Sequence, residues 1–306
     1  MAVTRRHGFY AVEAGTLIGG ITAQNVNTGT EVRGEASSDR VSPAFRSIVA
    51  QKPRGSFTTL NIAQALTITG ATGVDIASLA NGLRFYAQKH ADSGSTRAAG
   101  AVHRRYTMSA GLLAPRSLSA NHGDDATLSY DALAKYDGVN DPLVEVDNVS
   151  LPSGLTDERF TLAKVTLGGI LLDSKVSLDV EFGIQANSEG ADSDIWDTFL
   201  DVATIVPRLT LRGVDIEWLK AANIPFAGRV GTHANTTFYL RQRLDQGTFH
   251  DPSAPKHIQF TMDGVIHIDD AFDGSPNAPA GVGVVMESRF DGTNDPLTVT
   301  VNTAIQ

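Results

Sequence analysis

The sequence predicts a mainly β protein made of two tandem, related β-sandwich domains, residues 1–153 and 154–306, each with one or two short helices and long loops. Three observations carry this. Strand-period alternation of apolar and polar residues recurs along the chain, whereas helix-period stretches are few. The string Tyr136-Asp137-Gly138-Val139-Asn140-Asp141-Pro142-Leu143 returns as Phe290-Asp291-Gly292-Thr293-Asn294-Asp295-Pro296-Leu297. A repeat with so long a period is a duplicated domain rather than a solenoid unit, and 306 residues suit two cores.

Other strings echo between the halves in the same order. Leu17-Ile18-Gly19-Gly20-Ile21 resembles Thr166-Leu167-Gly168-Gly169-Ile170, and Glu35-Ala36-Ser37-Ser38-Asp39 resembles Gln185-Ala186-Asn187-Ser188-Glu189. Pro43–Val49 resembles Asp194–Leu200, and Gly73-Val74-Asp75-Ile76 equals Gly213-Val214-Asp215-Ile216. Ser150-Leu151-Pro152-Ser153-Gly154 is the expected linker.

Val176, Leu178, Val180, Phe182 and Ile184 alternate with polar residues or glycine, which predicts a half-buried strand. Its counterpart lies around Val26–Val32. Further strands are expected at Phe57–Ile62, Arg105–Met108, Thr127–Tyr130, Leu209–Arg212, Phe238–Arg243 and Ile258–Met262, where β-branched and aromatic residues gather. Leu297, Val299 and Val301 form the apolar face of a terminal strand. Its counterpart has Leu143, Glu145 and Asp147 in that phase, with Val144 and Val146 opposite. Either the strand is flipped or a bulge restores its register. Helices are expected at Ile195–Val202, capped by Asp192 or Ser193, and within Val74–Lys89 and Val214–Ala222, opened by Asp75 and Asp215. Lys89–Val102 (with Arg97), Gln246–Lys256 and Asp269–Gly281 read as long loops that order on contact with a neighbour.

Chemistry is sparse. The chain has no cysteine, hence no thiol nucleophile or thiolate metal site. It has no Gly-x-Ser-x-Gly elbow and no phosphate-binding glycine pattern. The histidines are scattered, with His103 and His233 each preceding a corresponding strand. Asp137, Asn140 and Asp141, repeated as Asp291, Asn294 and Asp295, have oxygens at a spacing that suits calcium. The short loop, the closing proline and the lack of a downstream bidentate acid favour a structural turn instead. The pairs Asp124-Asp125 and Asp269-Asp270 sit at strand ends, where neighbours face opposite ways. No catalytic, cofactor or metal residue is assigned, and no enzyme activity is expected. No apolar h-region follows the first residues, and no stretch is long enough to span a bilayer, so neither a secretory signal nor a membrane partner is expected. The net charge of −9 falls almost wholly on residues 154–306. Such a surface repels nucleic acid. It serves either solubility or a passage along which DNA slides without sticking.

The run Ala50-Gln51-Lys52-Pro53-Arg54-Gly55-Ser56-Phe57-Thr58-Thr59-Leu60-Asn61-Ile62-Ala63-Gln64-Ala65-Leu66, followed later by the Asp-Gly-x-Asn-Asp-Pro-Leu turn and a final strand, resembles the phage tail tube domain. That unit, a β-sandwich with a helix, is shared with the tubes of contractile injection systems. With both halves covered, the chain is similar to the duplicated, trimeric tube proteins of some long-tailed phages. The resemblance implies a virion structural protein, made in the host cytoplasm and resident in the tail. It implies trimeric, pseudo-hexameric rings that stack around a β-barrel lumen for DNA. Implied partners are further copies of the chain and the tape-measure, baseplate and tail terminator proteins, with DNA passing unbound. Expected assembly contacts are the strand edges carrying Val176, Val180, Ile184, Leu297, Val299 and Val301, and the loop carrying Arg97. Alternatives are a capsid, decoration or baseplate protein, and a tandem carbohydrate-binding module.

Overall fold

The structure is a computed structural model that describes residues 7–35, 42, 45–89, 103–172, 176–190, 195–221, 232–244, 247–268, 273–275 and 278–306. The chain is mainly β, of sandwich type. Its first half runs β1 (His7–Ala14), β2 (Thr16–Ile18), β3 (Ile21–Asn27), β4 (Thr30–Glu35), β5 (Phe45–Gln51), β6 (Arg54–Thr59) and α1 (Ile62–Thr69). β7 (Val74–Asp75) and a 3-10 turn (Ile76–Ser78) follow, then β8 (Leu83–Lys89), β9 (His103–Met108), β10 (Gly111–Asn121), β11 (Thr127–Ala134) and β12 (Val144–Val149).

The second half runs β13 (Arg159–Leu167), β14 (Ile170–Leu171), β15 (Ser177–Glu181), β16 (Ile184–Glu189), β17 (Phe199–Ile205), β18 (Arg208–Asp215) and α2 (Ile216–Ala221). It ends with β19 (Thr232–Arg243), β20 (His257–Ile268), β21 (Asp273–Ser275), β22 (Ala278–Ser288) and β23 (Leu297–Thr303).

The pairing scheme of the first half recurs in the second. β1 pairs β2 and β8, as β13 pairs β14 and β19. β6 lies between β3 and β11, as β18 lies between β15 and β22. β4 and β5 form a separate two-stranded arm, as do β16 and β17, with the same bulge in each. The single strand β20 does the work of β9 and β10 together: β19 runs along one edge, while the other edge pairs β23 at one end and β22 at the other.

The register shows which residues correspond. Pro53-Arg54 matches Pro207-Arg208, and Gly29 matches Gly183; each of these glycines has positive φ and accepts a backbone N–H, from Lys52 and Val206. Ile62, which opens α1, matches Ile216, which opens α2. Of the strings found in the sequence, only the Asp-Gly-x-Asn-Asp-Pro-Leu pair lies in this register. Gly213-Val214-Asp215 ends a strand before its helix, whereas Gly73-Val74-Asp75 follows its helix. Gly168-Gly169 turns β13 into β14, the place that Gly15 holds between β1 and β2.

Several sequence expectations are corrected. Ile195–Val202 is no helix: Trp196 makes a bridge to Gln51, and β17 starts at Phe199. Val74–Lys89 holds β7, the 3-10 turn and β8, the turn being opened by Asp75, whose carboxylate accepts the Ala77 N–H at 3.0 Å. In the expected Val214–Ala222 segment, Val214 and Asp215 end β18 and Ile216–Ala221 is helical, while Ala222 lies outside the described residues. The terminal strands are neither flipped nor shifted. Val144 opposes Thr107 as Thr298 opposes Thr261, and the bulge near each strand's end holds Asn148 and Asn302, both at φ near 60°. Glu145 and Asp147 therefore occupy the positions of Val299 and Val301.

In the first half, sheet β12-β9-β8-β1-β2 packs over β3-β6-β11-β10. Phe57 meets Phe85 edge-on at 6.2 Å across the layers, and Gly55 leaves room for that ring: a Cβ there would lie 2.6 Å from it. Phe57 also stacks on Tyr130 at 4.9 Å, as Phe238 stacks on Phe260 at 4.7 Å in the second half. Each stack adds about 0.5–1.5 kcal/mol to the burial of the rings. The buried apolar side chains of both halves form one continuous cluster.

Candidate assembly surface

Beside the hydrogen bonds and ion pairs of the β10–β11 turn with β13 and β19, the two halves meet through three contacts whose positions recur elsewhere in the fold. The first is a backbone ladder: β10 pairs antiparallel with β15 from Ser117↔Glu181 to Asn121↔Ser177. It fuses β3-β6-β11-β10 and β15-β18-β22 into one sheet. The second is α1, which belongs to the first half but packs on β23 of the second. The third is a plug. Gln51 N–H donates to the Ile195 carbonyl at 2.6 Å, Trp196 Nε1–H to Gln51 Oε1 at 3.2 Å, and Tyr136 N–H to the Asp197 carbonyl at 2.8 Å. Trp196 packs on Tyr136 with centroids 5.0 Å apart, and Lys52 pairs with the buried Asp197 at 3.2 Å. The low exposure of Asp197 makes that cation necessary, since a buried carboxylate without a partner is strongly unfavourable.

The linker between the halves is fixed by Asn61. Its Nδ2 donates to the Thr156 carbonyl and its Oδ1 accepts the Glu158 N–H at 2.7 Å. Tyr10 donates its hydroxyl to the Pro152 carbonyl at 2.9 Å. Asn61 itself is fully buried.

These contacts have counterparts that the described residues leave unfilled. β3 corresponds to β15, but among the described residues it pairs only with β6, so its second edge has no partner there. β21, which pairs β22 through Asp273↔Gly281 as β10 pairs β11 through Ser119↔Thr127, corresponds to the part of β10 that holds β15. The residues matching Lys52 and Tyr136 are Val206 and Phe290, which are 52% and 60% exposed. The Phe290 ring is thus exposed at the place where Tyr136 packs on Trp196.

The fused sheet has a buried face and a polar one. The polar face carries Asn25, Asn27, Ser56, Thr58, Ser129, Ser117, Ser119 and Thr210 at alternating positions. Its cations Arg54, Arg116, Arg208 and Arg212 are matched in number by Asp131, Asp179, Glu181 and Glu287. Arg116 lies 3.4 Å from Asp131, Arg212 3.3 Å from Asp179 and Arg208 3.1 Å from Glu287.

The expected contact residues fall differently from one another. Val176 and Val180 are buried, and β15 has both edges occupied, by β10 and β18. That strand thus makes the junction inside the chain. Ile184 opens the β16–β17 arm and packs on the core. Leu297 is buried, and Val299 and Val301 are half-buried, on the strand that meets α1. Arg97 and most of its loop lie outside the described residues.

In the repeated turns, Asp137 Oδ1 accepts the N–H groups of Val139 and Asn140 at 2.8 and 2.6 Å, while Oδ2 accepts Asn140 Nδ2–H at 2.9 Å. Asp291 does the same with Thr293 and Asn294 at 2.7, 2.7 and 2.8 Å. The Asn140 side chain, with the backbone N–H groups, holds the Asp137 carboxyl below its ordinary value. The Asn294 N–H and side chain, with the Thr293 N–H, bring Asp291 down to about 2. These oxygens serve the turn, which positions Leu143 and Leu297 for the strands that follow.

The histidine echo also differs from expectation. His103 corresponds to His257, at the start of β20, rather than to His233 within β19. His103 Nδ1 accepts the Lys89 N–H at 3.0 Å, and His257 Nδ1 accepts the Gln242 N–H at 3.2 Å. Each closes the strand pair that precedes it. The signal in the sequence was the constant spacing set by the turn motif, which also relates these two histidines. Among the described residues, no cluster of three or more His, Asp or Glu side chains could hold a metal ion, and no helix is long and apolar enough to cross a membrane. No protein-family model matches the chain, and no curated protein matches it.

Proposed function

We propose that the chain is the structural subunit of a phage tail tube, three copies closing a ring of six similar units and rings stacking around a channel for DNA. One observation carries this: the β10·β15 ladder joins unit to unit edge to edge, while the matching edges, on β3 and β21, have no strand partner among the described residues. Open sheet edges are templates for strand addition, and a head-to-tail contact repeated about an axis closes a ring. Each half supplies β3-β6-β11-β10 or its equivalent, so six units give a barrel of about 24 strands, wide enough for an aqueous bore.

The polar face of the fused sheet would line that bore. Most side chains on that face are short hydroxyls, amides and paired charges, with Leu133 and Val285 among its apolar members. Arginines held by carboxylates leave few free cations for phosphates, whose neutralisation is what makes DNA stick. Tape-measure, terminator and baseplate proteins are then the partners at the bore and at the ends of the tube.

Proline substitution on β3 tests the reading. Neighbouring residues of a strand direct their N–H groups to opposite edges, so of Gln24 and Asn25 one points to β6 and the other to the open edge. Of Gln24→Pro and Asn25→Pro, one is expected to keep the wild-type melting temperature yet show no rings by negative-stain electron microscopy. Rings from a folded variant at both positions would refute the edge assignment, and lattices or shells in place of stacked rings would favour another virion role.

A further inference from the structure

We propose that the contact between copies of the chain is a charge-matched version of the apolar contact inside it, with α2 seated against the Arg104–Glu145–Asp147 cluster of a second copy. This rests on the ring reading above and adds the chemistry of its seam.

Inside the chain, α1 packs on β23. On the helix side Ala63 and Leu66 are buried; on the sheet side Val299 and Val301 pack on the core beside the fully buried Ile258. At the two ends of the chain the corresponding positions have changed together. Glu217 and Lys220 of α2 stand where α1 has Ala63 and Leu66. Arg104, Glu145 and Asp147 stand where the second half has Ile258, Val299 and Val301. The backbone registers of β9 and β12 and of β20 and β23 are the same, so the exchange is one of side chains on a conserved frame.

Both changed surfaces are exposed and carry ion pairs. Lys220 Nζ lies 2.5 Å from Glu217, and Arg104 lies 2.7 Å from Glu145 and 2.9 Å from Asp147. The sheet cluster has one more acid than base, and Lys220 is the cation placed to answer it, with Glu217 left to face Arg104. Two surfaces that merely faced solvent would need charge, but not complementary sets at structurally equivalent places.

Two consequences follow. The seam between copies weakens with salt, whereas the apolar seam inside the chain does not. The order of halves around a ring is also enforced: α1, if it met β12 of another copy, would desolvate the Arg104–Glu145–Asp147 cluster and leave its excess negative charge unanswered. First and second halves must therefore alternate.

The test is the assembly state of the intact chain by mass photometry and sedimentation velocity at low and high sodium chloride. Lys220→Glu is expected to raise the concentration needed for half-assembly at least about tenfold at low salt. Lys220→Glu combined with Glu145→Lys is expected to bring it back to within about threefold, by returning opposite charges to the seam. High salt should reproduce the loss in the wild type. Melting temperatures of the variants should stay at the wild-type value, since all the exchanged side chains are exposed. Assemblies indifferent to both salt and Lys220→Glu would overturn the charged seam while leaving the ring intact. A wild-type chain that stays monomeric at every salt and protein concentration would overturn both.

Discussion

The hydroxyl pair Thr69–Tyr130 ties α1 to the sheet and gives a double-mutant cycle whose outcome the structure fixes in advance. Tyr130 is fully buried, its ring stacked on Phe57, and its oxygen lies 3.0 Å from Thr69 Oγ1. Burial pushes its phenol well above the ordinary tyrosine value. Thr69 Oγ1 also lies 3.2 Å from the Ala65 carbonyl and 3.1 Å from the Gly70 carbonyl, to one of which its single proton is donated, leaving a lone pair for the tyrosine proton. Tyr130→Phe removes one hydrogen bond but orphans nothing, and should cost about 0.5–1.5 kcal/mol. Thr69→Val leaves the phenol with no acceptor in an apolar core and should cost about 1–3 kcal/mol. The double variant removes both polar groups and should be more stable than Thr69→Val alone. Urea unfolding followed by near-ultraviolet circular dichroism reads all four proteins, and one transition is expected because one sheet crosses both halves. Equal costs for the two single variants, adding up in the double, would refute the assignment of donor and acceptor.

Gly183→Ala should destabilise by about 2 kcal/mol or more, because φ is +62° and a Cβ would lie 1.9 Å from the Val206 carbonyl oxygen; Gly154→Ala, at φ +82° but in open space, should cost about 1 kcal/mol by thermal melting. His257 donates from Nε2 to the Asp251 carbonyl at 2.9 Å, and burial holds its pKa below the ordinary value, so its contribution is present above about pH 6.5 and lost as pH falls through the lower folded value. Imidazole NMR titration with a midpoint above 6.5 would contradict this. Asp291, at about 2, acts in the same direction at lower pH: its contribution is present above about pH 3.9 and lost towards pH 2, which carboxyl NMR can follow. Asn61→Ala strips the Thr156 carbonyl and Glu158 N–H of their partner, and should cost about 1–3 kcal/mol and expose residues 150–158 to protease.

Much of the fold was legible where one face of a strand is dry. Val176–Phe182 and Leu297–Val301 alternate because they lie on the core, whereas Ile184 starts a new strand beyond Gly183. The other strands expected from β-branched and aromatic runs are present, except that Phe57–Ile62 ends at Thr59 and gives way to α1 at Ile62. The arms were not legible. β17 carries Phe199 at 59% exposure on the face opposite the half-buried Leu200 and Val202, so its apolar residues mark no single face and mimic helical spacing. Short strings misled for a related reason: glycine pairs and Gly-Val-Asp recur wherever a strand turns, whatever its place in the fold. The reliable ruler was the Asp-Gly-x-Asn-Asp-Pro-Leu turn, whose carboxylate must meet fixed N–H groups. The open edges on β3 and β21 had no sequence signal, because edge status depends on what lies alongside a strand.

The Asn61 clamp bears on how fast larger species could form. Its hold on Thr156 and Glu158 keeps the second half docked at all dilutions, since a tethered neighbour is present at a high effective concentration that does not fall with the total. In the ring proposed above, every second junction would therefore already be made when the polypeptide finishes folding. Closing such a ring would take three chains rather than six, and the tethered junctions would have no concentration threshold below which they come apart.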